Sequence, residues 1–341
     1  MAWKNLLRTL RGGGSPASSV LEGAPYSARN PWHVVCDPFS WHGWQPEGAV
    51  RIEGPDRDPE AWERQVRRPP DTGFLLVESV WEDFYQSDKF AELTRLIQAF
   101  RREGIPVFFW AKEDPPHFQE FLPLALWCDA IATTDEDCVS RYRAAGFKGD
   151  VELMTFPVQP EVHKPYFPKN PDKRVFFAGA GRFDHPDRAA ALEYLIRPAL
   201  ALGCTDLFAR RNLTVDRGSW PADCQRYIVG ELPYEELLRE VSRYTLGLSI
   251  SSAPYSASMY PRRIVELPMA DVMVISDNCR AVRRYFPEIP AVEYSTQTRD
   301  TILYFLKNVA ERKQRLESLK QRILERHTYA RALASLRSLV R

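Results

Sequence analysis

The chain has almost no charge of one sign to spare. Its 46 Lys and Arg face 45 Asp and Glu, for a net charge of +1. That balance sets aside a general nucleic-acid binder, which carries a basic excess, so nucleic acid is not an expected partner. No apolar run approaches the roughly 20 residues of a membrane-spanning helix, and the first residues lack the apolar core and cleavage site of a secretory signal. The six cysteines (Cys36, Cys128, Cys138, Cys204, Cys224 and Cys279) form no CxxC pair and have no His at ligand spacing. This excludes a zinc ribbon and fits thiols in a reducing compartment. A cytoplasmic protein is therefore expected. The dinucleotide signature GxGxxG, the P-loop, HExxH, the EF-hand loop and the Ser-His-Asp order of hydrolases are also missing. So are the DxD-like carboxylate pairs that would hold Mn²⁺. Asp135-Glu136-Asp137 reads as an acidic helix start. No metal or cofactor is expected.

What is there is a long, apolar chain: 341 residues, 44% hydrophobic and 12% aromatic, enough for two cores. Residues 1–11 place Trp3, Leu6, Leu7 and Leu10 at helical spacing between Lys4, Arg8 and Arg11. Such a helix suits the inner face of an anionic membrane, or docks on its own protein. Residues 12–30 read as a Gly, Ser and Pro linker. Strands are expected at His33–Cys36, Ala49–Ile52, Phe74–Glu78, Val107–Trp110, Ala130–Thr133 and Val151–Phe156, with helices such as Phe90–Arg102 and Asp135–Ala145 between them. A Pro-rich connector, Pro157 to Pro171, marks a boundary. The pattern then restarts with strands at Arg174–Ala178, Arg226–Val229, Leu246–Ser251, Val272–Ser276 and Ala291–Tyr294. Helices are expected at Pro186–Leu202, Tyr234–Tyr244, Arg262–Met269 and Arg280–Tyr285, and a helical tail from Thr298 to Val340 breaks near His327. Strand alternating with helix means parallel sheets covered on both faces. The expected fold is α/β: two Rossmann-like doubly wound domains facing a cleft, closed by long C-terminal helices. Its divisions are a tail over 1–30, a first Rossmann-like domain over 31–165 and a second, with the terminal helices, over 166–341.

The candidate chemistry sits at strand-to-helix junctions, where ligands of such sheets bind. Phe176-Phe177-Ala178-Gly179-Ala180-Gly181-Arg182 ends a strand with two glycines and an arginine, which permits close approach of a phosphate. His185 and Arg188 follow. Tyr260-Pro261-Arg262-Arg263-Ile264-Val265-Glu266 opens a helix with two guanidiniums and a carboxylate one turn on. Arginine suits a diphosphate, and the carboxylate suits a ribose diol. Being consecutive, Arg262 and Arg263 point different ways, so one faces the phosphate while the other salt-bridges or lines the cleft. The same spacing also fits a plain intrahelical ion pair. In the first half, Glu78 to Asp83, with Trp81 and Glu82, and Trp110 to His117, with Glu113, Asp114 and His117, end two further strands. Trp81 and Trp110 suit stacking on a sugar, and Glu113, Asp114 or His117 suits acid–base work on an acceptor hydroxyl. Asp37 is a further candidate. Solvated loops would carry the same residues.

In order and spacing these segments resemble the group-1-type glycosyltransferases of the two-domain GT-B fold, in particular the spore-maturation-protein (CgeB)-like branch. The resemblance runs from about Phe74 to the C-terminus. It rests on Phe109-Trp110-Ala111-Lys112-Glu113-Asp114-Pro115, Asp129 to Asp135, Val175 to Gly179, Arg262/Arg263 with Glu266, and His327-Thr328-Tyr329-Ala330-Arg331. It implies a metal-independent hexosyltransferase-type enzyme that takes a nucleotide-diphosphate sugar, first of all a UDP-sugar, and transfers to a glycan, lipid-linked or protein acceptor. It also implies donor contacts at Gly179, Gly181, Arg182, Tyr260, Arg262 or Arg263, and Glu266, with a last helix crossing back to the first domain. Two positions depart from the pattern. Ser258 stands where retaining members carry a carboxylate, and Asp271 stands where a glycine is usual. A sugar-nucleotide epimerase and a non-catalytic nucleotide-sugar binder share the fold.

Overall fold

The computed structural model describes residues 31–79, 87–170, 172–179, 183, 186–209 and 220–339. The first lobe runs β1 (Trp32–Val35), α1 (Pro38–Trp44), β2 (Ala49–Arg51), α2 (Pro59–Arg67), β3 (Leu75–Glu78), α3 (Ser87–Arg102), β4 (Val107–Ala111), α4 (Phe118–Ala125), β5 (Ala130–Thr133), α5 (Glu136–Ala144) and β6 (Asp150–Leu153). The second runs β7 (Val175–Ala178), α6 (Pro186–Ala191), a π-helical turn (Leu192–Ile196), α7 (Arg197–Leu200), β8 (Thr205–Ala209), α8 (Ala222–Gln225), β9 (Ile228–Glu231), α9 (Tyr234–Glu240), β10 (Leu246–Ser249), α10 (Arg263–Met269), β11 (Met273–Asp277), α11 (Arg280–Tyr285) and β12 (Ala291–Val292). Three helices finish the chain: α12 (Ser295–Lys307), α13 (Val309–Arg326) and α14 (Tyr329–Ser338).

Both sheets have six strands, and every pairing is parallel. The first is ordered β2-β1-β3-β4-β5-β6 and the second β12-β11-β10-β7-β8-β9. The winding reverses between β1 and β3 in one lobe and between β7 and β10 in the other. Those reversals open crevices at the carboxyl ends of the strands. The central strands are buried on both faces, as in β3, β4, β7 and β10, so they read as unbroken apolar runs rather than alternating ones. Aspartates begin the helices that follow: Asp37 Oδ1 accepts from Ser40 N (2.7 Å), Asp58 Oδ1 from Ala61 N (2.8 Å), and Asp135 Oδ1 from Asp137 N and Cys138 N (3.0 and 3.1 Å).

Each lobe has its own outer core, and a third apolar cluster runs through both. It joins Trp32, Trp44, Trp110 and Phe156 to Phe176, Tyr260, Ile264, Tyr329 and Leu333. The lobes are thereby packed together rather than merely tethered. The final helix completes this packing. Backbone bonds link Val158 N to His327 O (2.7 Å) and Tyr329 N to Val158 O (3.1 Å), and Ser335 Oγ reaches Glu152 Oε2 (2.7 Å). α14 therefore follows the second sheet in sequence and packs on the first lobe.

The expected strands are found within a few residues at their ends. One strand escapes the sequence reading: β8, whose run Thr205-Asp206-Leu207-Phe208-Ala209 includes a carboxylate. Asp206 is tolerated because Tyr244 Oη donates to it at 2.6 Å. The expected helix Pro186–Leu202 is interrupted by the π turn. The helical tail breaks at Asn308 as well as at His327–Thr328, where the Thr328 hydroxyl caps α14 by accepting from Arg331 N. The proposed basic helix over residues 1–11 lies outside the described residues. No helix among the described residues is long and apolar enough to cross a membrane.

Candidate functional site

The crevice of the second lobe is built around Gly179 and α10. A Cβ placed on Gly179 would lie only 2.9 Å from the Phe177 ring, so glycine makes room for that ring, and Arg263 Nη1 lies at ordinary contact distance, 3.7 Å from the same point. Arg263 also lies over the Phe177 ring, 5.5 Å from its centroid. The Gly179 N–H is already committed to Phe208 O (3.2 Å). Gly179 therefore contributes space, not a donor. On the other side of the switch point, Ser249 ends β10, and its buried Oγ takes no partner among the described residues. Gly181, Arg182 and His185 lie outside the described residues. Arg188, on α6, lies over Phe183 at 5.8 Å.

The two arginines divide. Arg263 faces Gly179, while Arg262 Nε approaches Glu266 Oε1 at 3.8 Å. Glu266 Oε1 is crowded. It accepts from Tyr234 Oη (3.0 Å), and His163 Nε2 lies 3.5 Å away. Glu266 Oε2 takes no partner among the described residues. Burial pushes this carboxyl up, but bonds from His163 and Tyr234 and the charge of Arg262 outweigh it and hold it at about 2. Glu266 is thus an ionised carboxylate with one oxygen fixed and one open. His163 and Tyr234 were not among the expected site residues. Tyr234 had a signal in its place just after Pro233 at a helix start, and His163 in the connector had none.

The crevice of the first lobe holds a different cluster. Lys112, only 2% exposed, donates from Nζ to Asp37 Oδ2 (2.6 Å), Glu78 Oε2 (2.8 Å) and Ser40 Oγ (3.3 Å). Glu78 Oε1 accepts from Trp44 Nε1 (2.7 Å). Burial pushes Asp37 up, but Lys112 and the nearby Arg262 overcome it and hold Asp37 well below the usual range. Burial and the neighbouring Asp37 charge raise Glu78. Burial lowers Lys112, yet the two carboxylates hold it above its ordinary value. The proton stays on the lysine.

The acceptor-side candidates are placed as follows. Trp110 is fully buried, its Nε1 donating to Met154 O (3.0 Å), with Trp44 and Phe156 against its ring. Asp114 is 1% exposed and turns into the lobe, where Oδ2 accepts from Thr133 Oγ1 (2.6 Å) and Tyr142 Oη (3.0 Å) while Oδ1 has no partner among the described residues. Burial raises it to about 7. Its peptide to Pro115 is cis. Glu113 and His117 are half-buried beyond β4, and His117 Nδ1 lies 3.6 Å from Glu120. Trp81 and Glu82 lie outside the described residues. Tyr260 is buried at the seam. Its Oη lies within hydrogen-bonding distance of Phe156 O (3.0 Å), Thr155 Oγ1 (2.9 Å) and His327 Nδ1 (2.9 Å).

The departures from pattern have local explanations. Ser258 Oγ accepts from Glu136 N (2.8 Å) and donates to Thr134 O (3.0 Å), and Ser256 Oγ donates to Asp135 Oδ2. Ser258 therefore fastens the lobes together, and a carboxylate there could not donate to Thr134. Asp271 has φ +62°, the left-handed conformation that favours glycine, and its carboxylate pairs with Lys320. The ending His327–Arg331 is a clasp, with Tyr329 edge-on to Trp44 at 4.6 Å. Among the described residues, no three His, Cys, Asp or Glu side chains gather to hold a metal ion.

Two parallel doubly wound lobes with a cleft between them define the GT-B class of fold, and known proteins agree. Residues 192–338 match the glycosyl transferase-like family model. T4 phage β-glucosyltransferase in complex with UDP-glucose is similar over 91% of this chain and 99% of its own, at 12% identity and a TM-score of 0.59. The Anabaena protein HepE in complex with UDP is similar over 89% of this chain and 92% of its own, at 11% identity and a TM-score of 0.55. The trehalose-6-phosphate synthase OtsA is similar over 88% and 80%, at 11% identity and 0.55. A comparison with curated sequences gave no match.

Proposed function

We propose that this protein is a glycosyltransferase that moves a sugar from a nucleotide-diphosphate sugar, first of all a UDP-sugar, to an acceptor hydroxyl. One observation carries the reading. At the switch point of the second lobe, Arg263 converges on Gly179 while Glu266, one turn along the same helix, keeps an oxygen open. The guanidinium supplies charge-assisted bonds to the leaving diphosphate, and the carboxylate accepts from the ribose. The family match over this lobe and the UDP and UDP-glucose held by its structural neighbours support the same assignment.

In this reading Arg263 balances the charge that develops on the diphosphate, and turnover persists in EDTA. Glu113 and His117 beyond β4, with Trp81 and Glu82, serve the acceptor. Asp114 is the buried carboxylate that sets their loop. The acceptor is a glycan, lipid-linked or protein hydroxyl, and the sugar is a hexose. The Arg263–Glu266 spacing and the His327–Arg331 clasp favour the spore-maturation-protein-like branch. With Ser258 in place of a carboxylate, a non-catalytic binder is the second reading, and donor turnover with an acceptor pool separates the two.

The decisive test is calorimetry with UDP. Arg263→Ala weakens binding roughly 10- to 100-fold, the worth of a hydrogen bond to a charged group, while folding stability falls by about 1 kcal/mol, the cost of losing the contact with the Phe177 ring. Unchanged affinity would remove the diphosphate assignment.

A further inference from the structure

The second arginine has a task of its own. Arg262 sits with its guanidinium carbon 4.8 Å from the centroid of the Phe39 ring and 5.9 Å from that of Tyr234. Phe39 belongs to α1 of the first lobe, whereas Tyr234 begins α9 of the second. Their rings meet edge-on, 4.7 Å apart at 83°. The Tyr234 hydroxyl donates to Glu266 Oε1 at 3.0 Å, and His163 Nε2 lies 3.2 Å from that hydroxyl. Three groups thus converge on one carboxylate oxygen and leave the other open. A half-buried carboxylate with two equivalent oxygens rotates, and pinning one of them fixes where the second points.

We infer that Tyr234 and Arg262 are positioning residues that orient Glu266 and tie its orientation to the first lobe through Phe39. The inference rests on the nucleotide-sugar reading, in which Glu266 binds the ribose. The chain of contacts is continuous: Phe39 packs on Tyr234 and Arg262, and both approach Glu266 Oε1, which leaves Oε2 for the ribose in the nucleotide-sugar reading. If the first lobe shifts, the Tyr234 ring loses its edge contact and Arg262 loses an aromatic face worth the more for being desolvated. Donor affinity then depends on a residue of the other lobe that, in this reading, touches no nucleotide. Adjacent arginines divide the work, Arg263 on the diphosphate and Arg262 on the join between lobes.

The test is a double-mutant cycle on UDP affinity across the two lobes. Tyr234→Phe, which removes only the hydroxyl, weakens UDP about 10-fold, within the range for a bond to a charged group. Phe39→Leu weakens it about 3-fold, as loss of a desolvated cation–π contact allows. Phe39→Tyr, which keeps the ring, restores wild-type affinity. The double variant Phe39→Leu/Tyr234→Phe loses less than the product of the single losses. Wild-type affinity in Phe39→Leu, or strictly multiplicative losses, would overturn the inference. If wild-type protein binds neither UDP nor GDP, the nucleotide reading fails separately. The linkage is then decided by hydrogen exchange in the ligand-free protein. Faster exchange over residues 261–269 in Phe39→Leu supports it, and unchanged exchange there overturns it.

Discussion

The two switch points carry similar residues and treat them in opposite ways. In the first lobe every oxygen of Asp37 and Glu78 has a donor: Ser40 N and Lys112 for one, Trp44 and Lys112 for the other. In the second lobe, among the described residues, Glu266 has one oxygen crowded and the other open, and Ser249 keeps a buried hydroxyl without partner. A fully satisfied cluster holds geometry. A cluster with open valences at a crevice is prepared for a ligand. The comparison also separates charge from function. Lys112 is the most deeply buried cation at either switch point, yet its carboxylates consume it.

That contrast can be broken most forcefully at Lys112. Lys112→Met leaves Asp37 and Glu78 facing each other without the cation bonded to both, with only Arg262 nearby. Stability should fall by about 3–5 kcal/mol, the usual cost of breaking a buried charge cluster from one side. Urea unfolding measures it, and a loss under about 1 kcal/mol would mean that the cluster is not the structural element described here. Glu266→Gln is the counterpart in the second lobe. UDP affinity falls by about 1.5–3 kcal/mol. Stability falls less than in Lys112→Met, because Arg262 keeps the Phe39 and Tyr234 rings. Equal stability losses in the two variants would erase the distinction between the crevices.

Asp114 sharpens the comparison from a third direction, since it is a buried carboxylate with no cation bonded to it. Burial raises it from 3.8 to about 7, so between those values the folded state binds a proton that the unfolded state has released. Stability from this group is therefore present below about pH 4 and declines as pH rises towards 7. Wild-type protein should lose stability relative to Asp114→Asn by at most about 1.4 kcal/mol per pH unit in that window and in no other. Parallel pH profiles for the two proteins would show that Asp114 is already ionised at low pH. Asp37, clamped by Lys112, should show no such slope between pH 4 and 7.

Much of the architecture was legible because central parallel strands are continuous apolar runs. Phe74–Glu78, Val107–Trp110 and Val272–Ser276 announce themselves, and the prolines from Pro157 to Pro171 separate the two sheets. β8 was missed because Asp206 interrupts its pattern, and the partner that makes Asp206 acceptable, Tyr244, lies 38 residues away. That Arg262 and Arg263 point different ways could be read from their being consecutive, and that Glu266 lies one turn on could be read from spacing. Which arginine lies by Glu266 and which by Gly179 could not. Asp271 shows a related limit: its departure from a glycine was visible, but its left-handed backbone and its pairing with Lys320 were not.

The order of residues alone determined the parallel α/β class, the two-lobed division and the presence of a guanidinium and carboxylate one helical turn apart, because these depend on local periodicity and short spacing. Tertiary structure alone decided that Lys112 is consumed by Asp37, 75 residues away, that Tyr234 and His163 crowd one oxygen of Glu266, and that Phe39 of the opposite lobe packs against Arg262. Contacts between residues far apart in the chain leave no periodic trace. Whether a charge is spent on the protein or kept for a ligand depends on what the fold brings to within hydrogen-bonding distance of it.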